Sequence, residues 1–463
     1  ELDNDLDYFN ILGLNYFSKQ SFNEAESIFK KGLMLDNNNI TLLNSLGRIY
    51  HEQRDLKNAE KYLLKAYKID KNSYEIINNL AGFYREESDY TKSIDLYKQA
   101  LKINPNNPSI INNLAKVYFD IDNIKLAKKY CKEALNLNKE DGNIQKILSL
   151  IYFREQNFQE GWKFFDGRLR LSDFVEKNSS INKIRKKLPL KSKIEVDSKL
   201  LVLREQGVGD EILYGTIYPD LLSKFKNVTI ECDKRLINLF KNSFPDYENS
   251  FVELGKISEK NNKLDNYDYV IYAGSLGNIL RDKVSKFSDG CYMKPNNFLI
   301  QEFEKIFQKN KKKYNIGISW KSFKNRYSDE KSLKLENFID ILKNKKCNFI
   351  NLQYGDVESE IKSFKEEYGI DILTIDDLDL FNDFDKLAAV LKNLDLFITV
   401  SNSTAHLSGS LGVKTLLVKP KNHAIFHYWN QPNNKTPWYK SITLVDKSDL
   451  REEKNILFDY LNI

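Results

Sequence analysis

The chain has 463 residues, of which 41% are hydrophobic, 29% charged and 13% aromatic. That balance excludes a disordered or collagen-like chain, and at roughly 100–200 residues per domain the length implies about three domains. Lys and Arg number 71 against 65 Asp and Glu, a net +6 mixed along the chain, and without a recognition motif this gives no nucleic-acid reading.

The acidic start, Glu1-Leu2-Asp3-Asn4-Asp5, is not a signal peptide. It lacks an initiator Met, which leaves a start further upstream open. The first third repeats itself. Leu12-Gly13-x-x-Tyr16 recurs as Leu46-Gly47-x-x-Tyr50, Leu80-Ala81-x-x-Tyr84, Leu114-Ala115-x-x-Tyr118 and Leu148-Ser149-x-x-Tyr152, always 34 residues on. Ala25, Ala59, Ser93, Ala127 and Gly161 share a small slot, and Phe29, Leu63, Tyr97, Cys131 and Phe165 a large one. This resembles the tetratricopeptide repeat, whose small residues let paired helices approach and whose units bury apolar faces only against neighbours. Asn-rich segments such as Asp36-Asn37-Asn38-Asn39 separate the units. The arm is expected either to act as a spacer or dimerisation element, giving a homodimer, or to hold a protein acceptor in its groove. In the second case Asn79, Asn112 and Asn113 would present amides to an extended peptide. Trp162 is expected to cap the solenoid core. The basic stretch Lys183, Arg185, Lys186, Lys187, Lys191 and Lys193 reads as a solvated linker.

From Lys199 the pattern changes. Leu200-Leu201-Val202-Leu203 predicts a buried strand, Gly207 and Gly209 a tight turn, and Ile212 to Leu222 a helix, which together open a parallel α/β unit. Further strands are predicted at 228–230 and 269–272. After Lys311-Lys312-Lys313 a second set follows at 315–320, 349–353, 396–400 and 415–418, with a helix around 387–391. Two such sets imply two doubly wound lobes, with ligands at the carboxyl ends of the strands. The organisation expected is an α-solenoid over 1–170, a linker over 171–197, and Rossmann-like lobes over 198–310 and 311–463.

Three motifs carry the chemistry. Arg204-Glu205-Gln206-Gly207-x-Gly209-Asp210-Glu211 places Asp210 near a helix N-terminus, either as a general base or as a helix cap, with Glu205 as the reserve base. Ser401-Asn402-Ser403-Thr404-Ala405-His406 follows a strand and opens a helix. Its hydroxyls, amide and backbone N–H groups suit a diphosphate, with His406 either donating to a phosphate oxygen or merely packed. The strand end contributes Ser319, Trp320 and Lys321, with Lys324 and Arg326 after it, and a cation among these would offset charge on a leaving nucleotide. Gln353 and Tyr354 would flank its base or ribose. Asp376 and Asp377 are weaker candidates, and Asp383 and Asp385 read as caps of the helix near Lys386.

These motifs, behind such an arm, resemble the glycosyltransferase module of bacterial protein and flagellin glycosyltransferases, related to lipopolysaccharide heptosyltransferases and O-GlcNAc transferases. The resemblance runs from the repeats to about Val445. It implies a GT-B fold and inverting transfer from a nucleotide-sugar, with Asp210 at the base position, no required metal and no cofactor beyond the sugar donor. The lobe over 198–310 would then face the acceptor and the lobe over 311–463 the donor. The related heptosyltransferases carry Asp where this chain has Ser401, so any contact of that acid is lost. The expected function is sugar transfer to a hydroxyl of a protein held by the arm, flagellin being one candidate. A lipopolysaccharide or lipid-linked acceptor, and a non-catalytic scaffold, are the alternatives. His423 and His427 lie four apart without a third ligand, and Pro437-Trp438-Tyr439 reads as packing. Cys131, Cys232, Cys291 and Cys347 form no C-x-x-C pair and suit reduced cytoplasmic thiols. No apolar run reaches the roughly 18–20 residues of a membrane span.

Overall fold

The computed structural model describes residues 5–171, 194–257, 263–308, 314–323, 328–420 and 424–447. The basic stretch around Lys187 falls outside them, as do Lys311–Lys313, Lys324, Arg326 and His423. Ten helices pair into five repeats: α1 Leu6–Ser18, α2 Phe22–Leu35, α3 Ile40–Glu52, α4 Leu56–Ile69, α5 Tyr74–Glu86, α6 Tyr90–Ile103, α7 Pro108–Asp120, α8 Ile124–Leu137, α9 Gly142–Arg154 and α10 Phe158–Phe165. The slots of the sequence pattern meet in space. A Cβ added at Gly47 would come within 2.6 Å of Leu63 Cγ, and one at Gly13 would strike the Phe29 ring.

The turn inside each repeat has a feature the spacing did not reveal. Gln20, Arg54, Ser88, Asp122 and Gln156 all adopt positive φ, between 57° and 64°. The next residue's N–H then bonds back to the repeat's tyrosine, as in Asp55 N to Tyr50 O at 2.9 Å and Asp89 N to Tyr84 O at 2.9 Å. This is the Schellman closure of a helix C-terminus, which glycine favours. A left-handed L-residue costs about 1–2 kcal/mol, partly offset by the smaller unfolded-state freedom it brings. Ser88 is exposed, so Ser88→Gly is expected to raise repeat stability by about 0.5–1 kcal/mol in urea titration. An unchanged midpoint would show that the turn is unstrained. The asparagines of the arm are engaged with each other: Asn79 Nδ2 donates to Asn44 Oδ1 and Asn113 Nδ2 to Asn78 Oδ1, both at 3.0 Å. Asn112 is buried. These amides tie neighbouring first helices together before any peptide is considered.

The chain divides into two compact units, residues 1–151 and 152–463. The second contains two parallel sheets. The first has β1 Lys199–Leu203, β2 Asn227–Cys232, β3 Phe251–Glu253 and β4 Tyr269–Tyr272 in the order β3-β2-β1-β4. The second has β5 Tyr314–Ser319, β6 Cys347–Asn351, β7 Leu396–Val400, β8 Thr415–Val418 and β9 Ile442–Val445 in the order β6-β5-β7-β8-β9. The architecture is therefore tetratricopeptide helical repeats followed by two Rossmann-like lobes. Each sheet has a point where strand order reverses, between β1 and β4 and between β5 and β7, and there the strand ends open a crevice. The helix expected over 212–222 is split into Val208–Gly215 and Tyr218–Lys224. Pro219 lacks an N–H for a continuous helix and sits in the first turn of the second piece.

Trp162 does not cap the repeats. It belongs to the second unit, where its indole N–H donates to Arg281 O at 2.8 Å and its ring lies against Gly277, Phe153, Phe165 and Trp438. The last repeat helix, α10, is thus part of the α/β core. Among the described residues no helix is long and apolar enough to cross a membrane.

Candidate functional site

The glycine turn after β1 and the polar segment after β7 come together. A Cβ on Gly209 would lie 3.0 Å from His406 Cδ2 and 3.4 Å from Ser403 Cα. A side chain at this position in the first turn of the helix Val208–Gly215 would press on the helix Ser403–Ser410, so glycine favours the close approach. Asp210 stands in the first turn of its helix and is buried, with Oδ2 accepting the Gly207 N–H at 3.1 Å. Just before this turn Gln206 holds φ at +61°, a conformation that non-glycine residues adopt only under constraint. Part of that constraint is visible: Arg204 Nη2 donates to Gln206 O at 3.0 Å.

Glu205 is not placed for proton transfer. Its carboxylate is fully buried and accepts Arg168 Nε and Nη2, each at 2.8 Å, and Gly274 N at 2.6 Å. Burial opposes the charge on Arg168, but the Glu205 carboxylate beside it more than compensates and raises its pKa. Arg204, Glu211, Asp233 and Arg235 form a second ion network at the ends of β1 and β2. Hydrogen bonding from Arg235 holds the Asp233 carboxyl down to about 2.

In the second lobe the polar residues build the strand ends. Gln353 Oε1 accepts Ser319 Oγ at 3.0 Å, Trp320 N at 2.8 Å and Lys321 N at 2.6 Å, while its amide donates to Tyr354 O at 2.8 Å. Asn402 Nδ2 donates to Ser319 Oγ at 2.9 Å and Asn402 Oδ1 caps Ala405 N at 3.0 Å. Trp320, Gln353 and Asn402 are expected on the ligand, but in the structure their polar atoms are engaged with neighbouring protein groups at the strand ends. The Trp320 ring is in the hydrophobic core, and its N–H bonds Glu360, as does the Lys321 ammonium. Thr404 and His406 are buried, Ser403 is half-buried, and Tyr354 is partly exposed. Asp383 caps Lys386 N at 2.9 Å as expected, whereas Asp385 lies inside the first turn of that helix and is not its cap.

His406 sits in an aromatic box made by Tyr428, Trp429 and Tyr439, of which only Tyr439 belongs to the segment read from sequence as packing. Its Nδ1 lies 3.2 Å from the Tyr439 hydroxyl, its ring stacks on Trp429 at 4.9 Å, and Tyr428 meets it edge-on at 4.9 Å. Burial, and next the Asp210 charge, push the Tyr428 and Tyr439 phenols well above their ordinary range, so both stay protonated. Ser401 Oγ accepts the Trp429 indole N–H at 3.0 Å. The serine thus has its own partner within the lobe.

Residues 6–39, 40–73 and 108–141 match the tetratricopeptide repeat model, and residues 83–122 match a TPR repeat model. The chain is distantly homologous to Protein FlbA of Caulobacter vibrioides, 27% identical over 259 residues. That match covers 53% of this chain and 42% of FlbA, so it spans less than half the length of that relative. Among solved structures, Pseudomonas aeruginosa pilF aligns with a TM-score of 0.35 and 17% identity, covering 48% of this chain and 86% of that one. TTC0263, a thermophilic TPR protein of Thermus thermophilus, aligns with a TM-score of 0.34 and 15% identity, covering 39% and 100%.

Proposed function

We propose that the chain is a GT-B-type glycosyltransferase that moves a sugar from a nucleotide donor to a hydroxyl of a protein acceptor held by the repeat arm. The observation that carries this reading is the approach of Gly209 to His406 and Ser403. It sets a carboxylate on one lobe beside a polar helix N-terminus on the other. In the transfer, the acceptor oxygen attacks the anomeric carbon and its proton passes to Asp210. The bond from that carbon to the diphosphate breaks, and its electron pair stays on the leaving oxygen. The first-turn N–H groups of the helix Ser403–Ser410, the Ser403 hydroxyl and the helix dipole would hold the diphosphate without a metal. A Tyr439 hydroxyl donating to His406 Nδ1 leaves the ring hydrogen on Nε2, making that nitrogen a donor.

The scaffold reading draws on one observation. Ser401 is bonded to Trp429 rather than offering an acid to the cleft. A thermal-shift screen against UDP, GDP, ADP, CMP and their sugar conjugates separates the two readings. One nucleotide is expected to stabilise the second unit, by about 2.7 kcal/mol at a hundred times its Kd, and His406→Ala is expected to lose most of that gain. Folded protein that responds to none of them would favour the scaffold.

A further inference from the structure

Three aromatic rings stand at the carboxyl edge of the second sheet, beside the polar network just described. Phe323 follows β5, Tyr354 follows β6, and Phe381 lies in the segment that leads to the helix Phe384–Lys392. The Tyr354 centroid is 5.3 Å from Phe323 and 6.3 Å from Phe381, with the planes tilted by 56° and 43°. Large apolar side chains at a strand edge normally turn inward, yet Phe323 is 49% exposed and Phe381 57%. Both are held in place. The Phe323 N–H points to the Tyr354 hydroxyl at 3.4 Å, and its ring lies over Gly355, where a Cβ would come within 2.6 Å. Gly355 has φ +91°, a conformation that only glycine adopts freely. Phe381 O accepts Arg235 Nη1 from the first lobe at 3.1 Å, and the Arg235 guanidinium lies 5.2 Å from the Phe381 ring centre. The exposed rings are therefore fixed features of the cleft edge.

Their place along the sheet gives them a role. In the order β6-β5-β7, the rings stand over the first two strand ends and the helix Ser403–Ser410 begins after the third. Two strand spacings of about 4.8 Å separate the outer ends by roughly 10 Å, about the reach from a nucleobase to its second phosphate. A continuous chain of bonds links the two ends, from Asn402 through Ser319 and Gln353 to Tyr354. We infer that Phe323 and Phe381, backed by Tyr354, form the stacking subsite for the base of a nucleoside diphosphate whose phosphates lie at the helix Ser403–Ser410. This rests on the proposed nucleotide-sugar reading and names the part of that site which takes the base.

The test is calorimetric titration of the whole chain with UDP, GDP, ADP and CDP and, separately, with inorganic pyrophosphate. It is run on the unaltered protein and on Phe323→Ala, Phe381→Ala and Phe323→Trp. Both phenylalanines are exposed, so their truncation should leave the fold intact. Base stacking on an aromatic ring is strong and tolerant of ring type. One nucleoside diphosphate should bind more tightly than pyrophosphate, and each alanine variant should weaken it roughly tenfold. Phe323→Trp should keep the affinity, and pyrophosphate binding should not change. Nucleotide affinity that survives both alanine variants would overturn the subsite. So would an equal loss for pyrophosphate, because the rings would then be shaping the phosphate end. Pyrophosphate binding with no gain from any nucleoside would overturn the base subsite and spare the phosphate site. Binding of neither class would overturn the donor reading and the subsite together.

Discussion

Asp210→Asn is expected to slow sugar transfer by about 10²–10⁴-fold, the usual contribution of a general base, while nucleotide affinity is retained. The amide is a demanding substitute because it keeps the carbonyl oxygen that accepts the Gly207 N–H at 3.1 Å. The turn therefore keeps this internal bond while the proton-accepting charge is lost. Removing that charge also removes the second-ranked influence on the Tyr428 and Tyr439 phenols, burial being the first. Burial alone keeps both phenols protonated, so the His406 contact should persist. The measurement is release of nucleoside diphosphate from the nucleotide-sugar that stabilises the protein, beside calorimetric affinity for that nucleotide. Undiminished turnover would reduce Asp210 to a brace for the glycine turn.

Arg168→Ala should destabilise the second unit by about 3–5 kcal/mol, the cost of leaving a buried carboxylate without its partner. Arg168 is 4% exposed and the Glu205 side chain has no exposure. The guanidinium also bonds Ser275 Oγ at 3.0 Å, Asp166 Oδ1 at 2.7 Å and Phe165 O at 3.1 Å. Truncation therefore breaks a network as well as a pair. Replacing both charged partners by methionine should recover much of the loss, since apolar residues of similar volume often stand in for a buried ion pair. Gly274 N would still lack its acceptor, which sets a residual cost of about 1–3 kcal/mol. Urea titration of Arg168→Met, Glu205→Met and the double variant gives the coupling directly. A loss below about 1 kcal/mol for Arg168→Ala would show that Glu205 takes up a proton or admits water instead.

Much of this arrangement is legible in the residues, for identifiable reasons. Helix pairs that touch only their neighbours repeat their contact residues at a constant interval, so the 34-residue step shows all five units. Parallel strands covered on both faces are short apolar runs, which marks β1, β4, β7 and β8. Two strands escaped notice. Phe251-Val252-Glu253 is too short to show a pattern, and Ile442–Val445 is a four-residue run at the edge of its sheet with no glycine turn after it to mark it. The polar residues were harder to read. A glutamate or glutamine beside a glycine turn looks the same whether it lines a cleft or braces it. Glu205 has its partner 37 positions away and Gln353 has its own 32–34 away, separations that no local pattern encodes. Tyr439 reaches His406 from 33 residues further on, so the box around that histidine is a product of the fold.

The placement of α10 bears on how such a chain can change length. Trp162 on Arg281 and Arg168 on Glu205 fasten the end of the fifth repeat into the α/β part. Residues 1–151 form a separate compact unit. Gain or loss of one 34-residue module among the first four repeats would preserve the register of every slot and leave that seam untouched. The fifth repeat has no such freedom, because deleting it would also empty the seat on Gly277 and expose Glu205. Arm length can thus be adjusted by recombination from the amino-terminal side, with the last repeat inherited together with the lobes as a single block.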